Sequence, residues 1–196
     1  GKSTLARLVN GLAEPSTGAV RVRADPGSNA LDTVRDGTEV RRAVGFAFTN
    51  PDAQLIMPTA VEDLELSLRR AHPDKRARRA AALAVLERFG IAALADQSVH
   101  TLSGGQKQLL AIASVLGTDP AILVADEPTT LLDLRNSLRI GELLMSIPQQ
   151  VLIVTHDLGL AASADRTLVV EGGRIAYDGA PAEAVAYYRE SVEGTE

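Results

Sequence analysis

The sequence has no cysteine; a disulfide scaffold and a thiolate metal site are therefore excluded, and a reducing cytoplasm is compatible with it. It also lacks an excess of basic charge. Its 20 Lys and Arg residues against 25 Asp and Glu give a net charge of -5, which offers no overall attraction for nucleic acid or anionic lipid. Long apolar runs are missing too. Ala121 to Ala125 and Val151 to Val154 fall far short of the ~20 residues that cross a bilayer as a helix. No charged-then-apolar leader opens the chain, no internal repeat or low-complexity tract interrupts it, and its three histidines are scattered. The first residue is Gly1 rather than methionine, from which the chain is expected to have been cut.

What is present is a sequence of 196 residues, 45% hydrophobic and 23% charged, the size and composition of a single domain spanning residues 1–196. Ile122 to Ala125 and Val151 to Val154 show no polar alternation and read as strands buried on both faces, as in a parallel sheet covered by helices. Each stops at polar residues, Asp126-Glu127 and Thr155-His156, which are expected to share one crevice beyond the strand ends. Val44 to Phe48 is a third strand candidate. Between it and Ile122 a helical stretch is predicted from about Ala60 to Gly117, divided at Pro73-Asp74, its second helix ending at Gly90. This is a helical insertion, about residues 55–118, within an α/β core. Leu131 to Met145 reads as an amphipathic helix stopped by Pro148, Arg166 to Tyr177 as a hairpin turning at Gly172-Gly173, and Pro181 to Tyr188 as a helix. Ala19 to Val44, with turn signals at Asp25-Pro26-Gly27 and Asp36-Gly37, predicts short antiparallel strands.

Four groups of residues carry chemistry. Gly1-Lys2-Ser3-Thr4 opens into a helical pattern, as does the second half of a phosphate-binding loop, where backbone amides and the lysine hold phosphates and the serine hydroxyl ligates magnesium. An ordinary helix start reads equally well from four residues. Asp126 and Glu127 end an apolar strand, so their side chains are expected to diverge to opposite faces, one serving a metal and the other the attacking water. A solvated carboxylate pair before Pro128 is the plainer alternative. His156 follows its strand in the same way and is placed to meet a transferred phosphate; His72 and His100 are given no role. In Leu102-Ser103-Gly104-Gly105-Gln106, Ser103 is a helix N-cap, and the two glycines leave the first amides bare enough for a phosphate to approach. The helix behind it is expected to bury Leu109, Ile112, Ala113 and Leu116.

Taken in order, Gly-Lys-Ser-Thr, Leu-Ser-Gly-Gly-Gln, an apolar strand ending Asp-Glu-Pro-Thr, Leu132-Asp133 and strand-Thr-His-Asp resemble the ATP-binding cassette ATPase family over the whole length. The stretch Val44 to Asp63, with Val-Gly-Phe-Ala-Phe-Thr-Asn-Pro-Asp-Ala-Gln and Thr-Ala-Val-Glu-Asp, is further similar to the ATPases of energy-coupling-factor vitamin and metal-ion importers. The resemblance implies a P-loop NTPase fold with a mostly parallel sheet, a small antiparallel part and the helical insertion. It implies ATP and Mg2+ as cofactors and a chain lacking the first strands and the first phosphate-loop glycines, which as given binds ATP poorly. It assigns Gly1, Lys2, Ser3 and Thr4 to phosphate and magnesium, Asp126 to the metal, Glu127 as general base and His156 as sensor of the terminal phosphate. Ser103, Gly104, Gly105 and Gln106 would close over ATP held by a second ATPase subunit, with Asp133 coupling the two sites. A transmembrane subunit would dock on Thr49 to Asp63, placing the protein at the cytoplasmic face of the membrane. No nucleic acid is expected.

Three positions depart from the family pattern. Thr49 stands where relatives carry a glutamine that touches magnesium, so either a water fills the gap or Gln54 compensates. Leu109 replaces an arginine and Leu131 a small residue. The basic run Lys75-Arg76-Ala77-Arg78-Arg79 reads as the solvated face of a helix packed through Ala77, Ala80, Ala81 and Ala84. Within the family the alternatives are a soluble cassette ATPase acting on nucleic acid or ribosomes, or an inactive gene fragment. The short carboxyl end is similar to the biotin-type branch.

Overall fold

The computed structural model describes residues 1–193. It opens with helix α1 (Lys2–Asn10), followed by an antiparallel ribbon of β1 (Arg21–Val22) and β2 (Leu31–Asp32). Helix α2 (Gly37–Ala43) runs directly into β3 (Val44–Ala47). Three helices, α3 (Ala60–Leu68), α4 (Lys75–Arg88) and α5 (Gly104–Leu116), then separate β3 from β4 (Ile122–Asp126). The remainder is α6 (Leu134–Ser146), β5 (Gln150–Val154), α7 (Leu158–Ala162), the hairpin β6 (Thr167–Glu171) and β7 (Arg174–Gly179), and α8 (Pro181–Glu193).

The central sheet is parallel, in the order β3-β4-β5. Every residue of β4 is buried because both faces are covered. Leu123 and Ala125 join a cluster with Leu64, Leu110 and Ile112 from the helical segment. Ile122 and Val124, pointing the other way along the pleat, pack with Ala6 of α1, Val40 of α2 and Phe46. A strand sandwiched like this is apolar up to its last residue, Asp126, and each large apolar side chain it or its neighbours bury contributes about 1.5–3 kcal/mol. β5 departs from the expectation of full burial: Gln150 is exposed and Val151, Leu152 and Ile153 are only half-buried. Among the described residues it pairs with β4 alone, so the strand is covered less completely than its neighbour.

The helix boundaries follow the capping chemistry. Thr59 and Ser103 head α3 and α5 as full capping boxes with Glu62 and Gln106, while Asp74 and Asp133 accept from the first-turn amides of α4 and α6. Because Asp133 occupies the cap, α6 begins at Leu134 rather than at the predicted Leu131. Gly90 takes φ +69° just beyond α4, a conformation that suits glycine. The hairpin turns at Gly172 and Gly173, both at positive φ, as its two-residue connection requires.

Two further expectations are corrected. The stretch before Val44 contains helix α2 as well as a ribbon: Val40 is fully buried, with Glu39 in the first turn and Arg41 and Arg42 in the last. In α4 the alanine stripe faces the wrong way. Ala77, Ala80 and Ala84 are exposed, and the inward face is Ala82 and Leu86, with Ala81 and Val85 packed beside them. Leu86 and Val85 reach into the core, and Ala81 and Ala82 let the helix approach it closely. The basic run is a solvated face, its Arg79 paired with Asp96 at 2.9 Å and Glu65 at 3.5 Å.

Candidate functional site

The end of β4, the end of β5, the start of α1 and the loop leaving β3 meet at one place. Asp126, the last residue of β4, is buried, and its carboxylate Oδ1 accepts a hydrogen bond from Ser3 Oγ at 2.9 Å. On the other side, the Thr49 hydroxyl donates to the Asp126 backbone carbonyl at 2.8 Å. Glu127 lies beyond the strand with φ +53°, an uncommon conformation for a non-glycine residue. Its backbone N–H donates to Val154 O at 2.8 Å. The two carboxylates therefore separate through this left-handed residue, and not through the strand alternation expected from sequence. Glu127 Oε2 accepts from Thr130 Oγ1 at 2.8 Å and lies 2.8 Å from His156 Nδ1. Of the four residues expected to share a crevice, Glu127 and His156 meet, Asp126 faces Ser3, and Thr155 Oγ1 accepts from the Asp157 N–H.

The amino end of α1 adds a second feature. No side chain caps it and no acidic residue lies in its first turn, which leaves unpaired amides and the positive end of the helix dipole. Lys2 and Thr4 are exposed beside it, and α1 is held in place by Asn10, whose side-chain amide donates to Val44 O at the start of β3. This end suits an anion.

A magnesium ion fits the donor set. Among the described residues no group of three or more His, Cys, Asp or Glu could hold a metal by itself. Mg2+, however, is commonly bound through one or two carboxylates together with substrate phosphates. The Ser3 hydroxyl and Asp126 carboxylate, beside an anion-binding helix end, are such a pair.

The Ser103–Gln106 turn stands apart. Ser103 N–H donates to Gln106 Oε1 at 2.8 Å and Gln106 N–H to Ser103 Oγ at 3.3 Å, while Ser103 and Gly104 are exposed. The glycines have a second reason beyond bare amides. A Cβ on Gly105 would sit 2.5 Å from the Asn136 side chain, so α5 and α6 pack there without room for a methyl. Asn136 was not singled out by sequence, because its importance lies in a contact between helices. Its N–H and Nδ2 both donate to Asp133, each at 2.9 Å, and the backbone bond chiefly holds the Asp133 carboxyl below its ordinary value of 3.8. Thr130 was missed as well; its signal is a hydroxyl three residues after Glu127, within reach in the turn following Pro128.

Gln54 does not stand in for the glutamine absent at position 49. Its Oε1 accepts from Phe48 N–H at 3.2 Å and its Nε2 donates to Ala111 O of α5 at 2.9 Å, so both ends are engaged with backbone. Leu109 lies within the core at 4% exposure, and Leu131 is exposed at 64%.

Comparison with known proteins places this geometry among relatives. The family described as ABC transporter matches residues 1–130. The biotin transport ATP-binding protein BioM of Rhizobium etli is 44% identical over 190 residues, which is 97% of this chain and 82% of that protein. CbiO1 from Clostridium perfringens, described as part of the ABC transporter complex cbiONQ, superposes with a TM-score of 0.81 at 32% identity over 99% of this chain and 78% of its own. A dimeric ATP-binding cassette in a post-hydrolysis state bound to ADP and Pi matches with a TM-score of 0.77 at 29% identity, covering 92% of this chain and 81% of that one.

Proposed function

The chain belongs to the ABC transporter family, and we propose that it is the ATP-binding and ATP-hydrolysing subunit that energises a membrane importer of the energy-coupling-factor kind, for a vitamin or metal ion. The observation that carries this reading is the pair of contacts at one strand end, Ser3 to Asp126 and Glu127 to His156, beside the uncapped start of α1.

In this reading Lys2 and the first amides of α1 bind the phosphates of ATP. Ser3 and Asp126 hold Mg2+, with Thr49 at the same edge; the ion when bound neutralises charge on the phosphate oxygens. Glu127 accepts a proton from the attacking water through Oε1, because His156 Nδ1 and Thr130 Oγ1 both engage Oε2. Those two contacts fix the carboxylate's orientation and leave Oε1 to meet the water. The exposed Ser103–Gln106 turn closes over the nucleotide of a second ATPase subunit, as suits a solvent-facing helix end, and Asp133 and Asn136 tie that turn to α6. A transmembrane subunit docks on Thr49 to Asp63. A cleft of about 310 Å3 lies there, lined by Gln54, Ile56, Asp63 and Leu66, and Ile56 is 69% exposed at its rim. In this reading that partner holds the protein at the cytoplasmic face of the membrane; among the described residues no helix is long and apolar enough to cross it.

The test is Glu127→Gln in the intact protein with MgATP. Turnover is expected to fall by about 10²- to 10⁴-fold while ATP binding persists. Undiminished turnover would defeat the reading.

A further inference from the structure

A single peptide group lies between the two functional carboxylates, and both of its polar atoms are held from outside the strand. Its carbonyl, on Asp126, accepts from Thr49 Oγ1 at 2.8 Å, and its N–H, on Glu127, donates to Val154 O at 2.8 Å. We infer that Thr49 is a positioning residue for hydrolysis: its hydroxyl fixes the plane of the Asp126–Glu127 peptide and so the direction of the Glu127 carboxylate. The inference rests on the proposed role of Glu127 as base.

Three observations support it. Glu127 is at φ +53°, one of two non-glycine residues with positive φ among those described, and such a conformation persists only where its surroundings over-determine it. The β5 side supplies one restraint through Val154; the β3 side supplies another through the Thr49 hydroxyl. The Thr49 proton is committed to the carbonyl, and Thr49 lies on the backbone side of Asp126, whereas Ser3 occupies its carboxylate. Lastly, Thr49 itself is steadied, since the Gln54 side chain ties the adjacent Phe48 N–H to α5. A peptide free to rotate would carry Glu127 Oε2 away from His156 and turn Oε1 away from the water. Outer-shell hydrogen bonds of this sort set the orientation of the groups they hold.

The experiment compares Thr49→Val, which keeps shape and removes the hydroxyl, with Thr49→Ser, which keeps the hydroxyl, in the intact protein. Thr49→Val is expected to lower kcat by about 10- to 100-fold, leaving the KM for ATP and the half-saturating Mg2+ concentration as they were. Thr49→Ser is expected to restore most of the turnover. In nucleotide-free protein, hydrogen exchange of the Glu127 amide is expected to accelerate in Thr49→Val and not in Thr49→Ser. A kcat unchanged in Thr49→Val, or an equal loss in both variants, overturns the proposal. So does a loss in Thr49→Val that high Mg2+ reverses, which makes Thr49 a metal ligand instead. Should Thr49→Val not fold, Thr49→Ala is read by the same criteria. Glu127→Gln run alongside separates the two ideas: full activity there removes the base, whatever the Thr49 variants do.

Discussion

The imidazole Nδ1 of His156 lies 2.8 Å from Glu127 Oε2, although the two residues follow different strands. Their parallel pairing in register, Asp126 beside Val154, brings the residues just past each strand end within reach. Side chains in direct contact are expected to act as one unit. Glu127→Gln should cost about 10²- to 10⁴-fold in turnover, and adding His156→Ala to it should cost much less than His156→Ala costs alone. A double-mutant cycle on kcat measures this, and fully additive losses would separate the two roles.

Gly105 and Asn136 should behave as a coupled pair. Because a Cβ at position 105 would meet Asn136 at 2.5 Å, Gly105→Ala is expected to destabilise the protein by about 1–3 kcal/mol. In an Asn136→Ala background most of that cost should vanish. Urea unfolding of the four proteins decides it, and an unchanged cost in the second background would mean that the clash lies elsewhere.

Asp133 makes α6 sensitive to acid. Hydrogen bonds from the Asn136 backbone N–H, and secondarily its side chain, hold the Asp133 carboxyl below 3.8 in the folded protein. A group depressed on folding contributes its stability in full above 3.8, and the contribution disappears as pH falls below that value through the folded pKa. Thermal unfolding followed down through this window should show a smaller acid-induced loss in Asp133→Asn, since asparagine caps the helix without titrating.

Asp63 should govern the docking loop. Its buried carboxylate accepts from the backbone N–H groups of Ile56 and Met57, at 3.0 and 3.2 Å, and from Ser114 Oγ at 3.3 Å. Asp63→Ala removes all three hydrogen bonds and is expected to cost about 1–3 kcal/mol. It should also weaken co-purification with the transmembrane partner, because Ile56 would lose its fixed place. Retention of the partner at the native level would argue against this loop as the contact.

Where a structural feature is set by neighbours in sequence, it was legible. β4 had to be apolar from Ile122 to Ala125 because it is covered on both faces, and the Ser103 and Gln106 cap is complete within four residues. Gly172 and Gly173 announce their turn for the same reason. The remainder depends on residues far apart. Nothing near Glu127 foretells its left-handed backbone, which is held by Val154 and, through the shared peptide, by Thr49. α4 carries alanine on several sides, so periodicity alone could not choose between the Ala77 face and the Ala82 face; packing against α3 and α5 did. Asn136 looks like any polar helix residue until α5 is laid against it.

Gln54 joins Phe48 to the middle of α5 by one short amide. Phe48 is the residue before Thr49 and Ala111 lies eight residues beyond the Ser103 cap, so the strand end and the helix are tied by two hydrogen bonds of one residue. In the proposed reading, that one side chain is where the loop facing the membrane partner and the helix headed by Ser103 are joined.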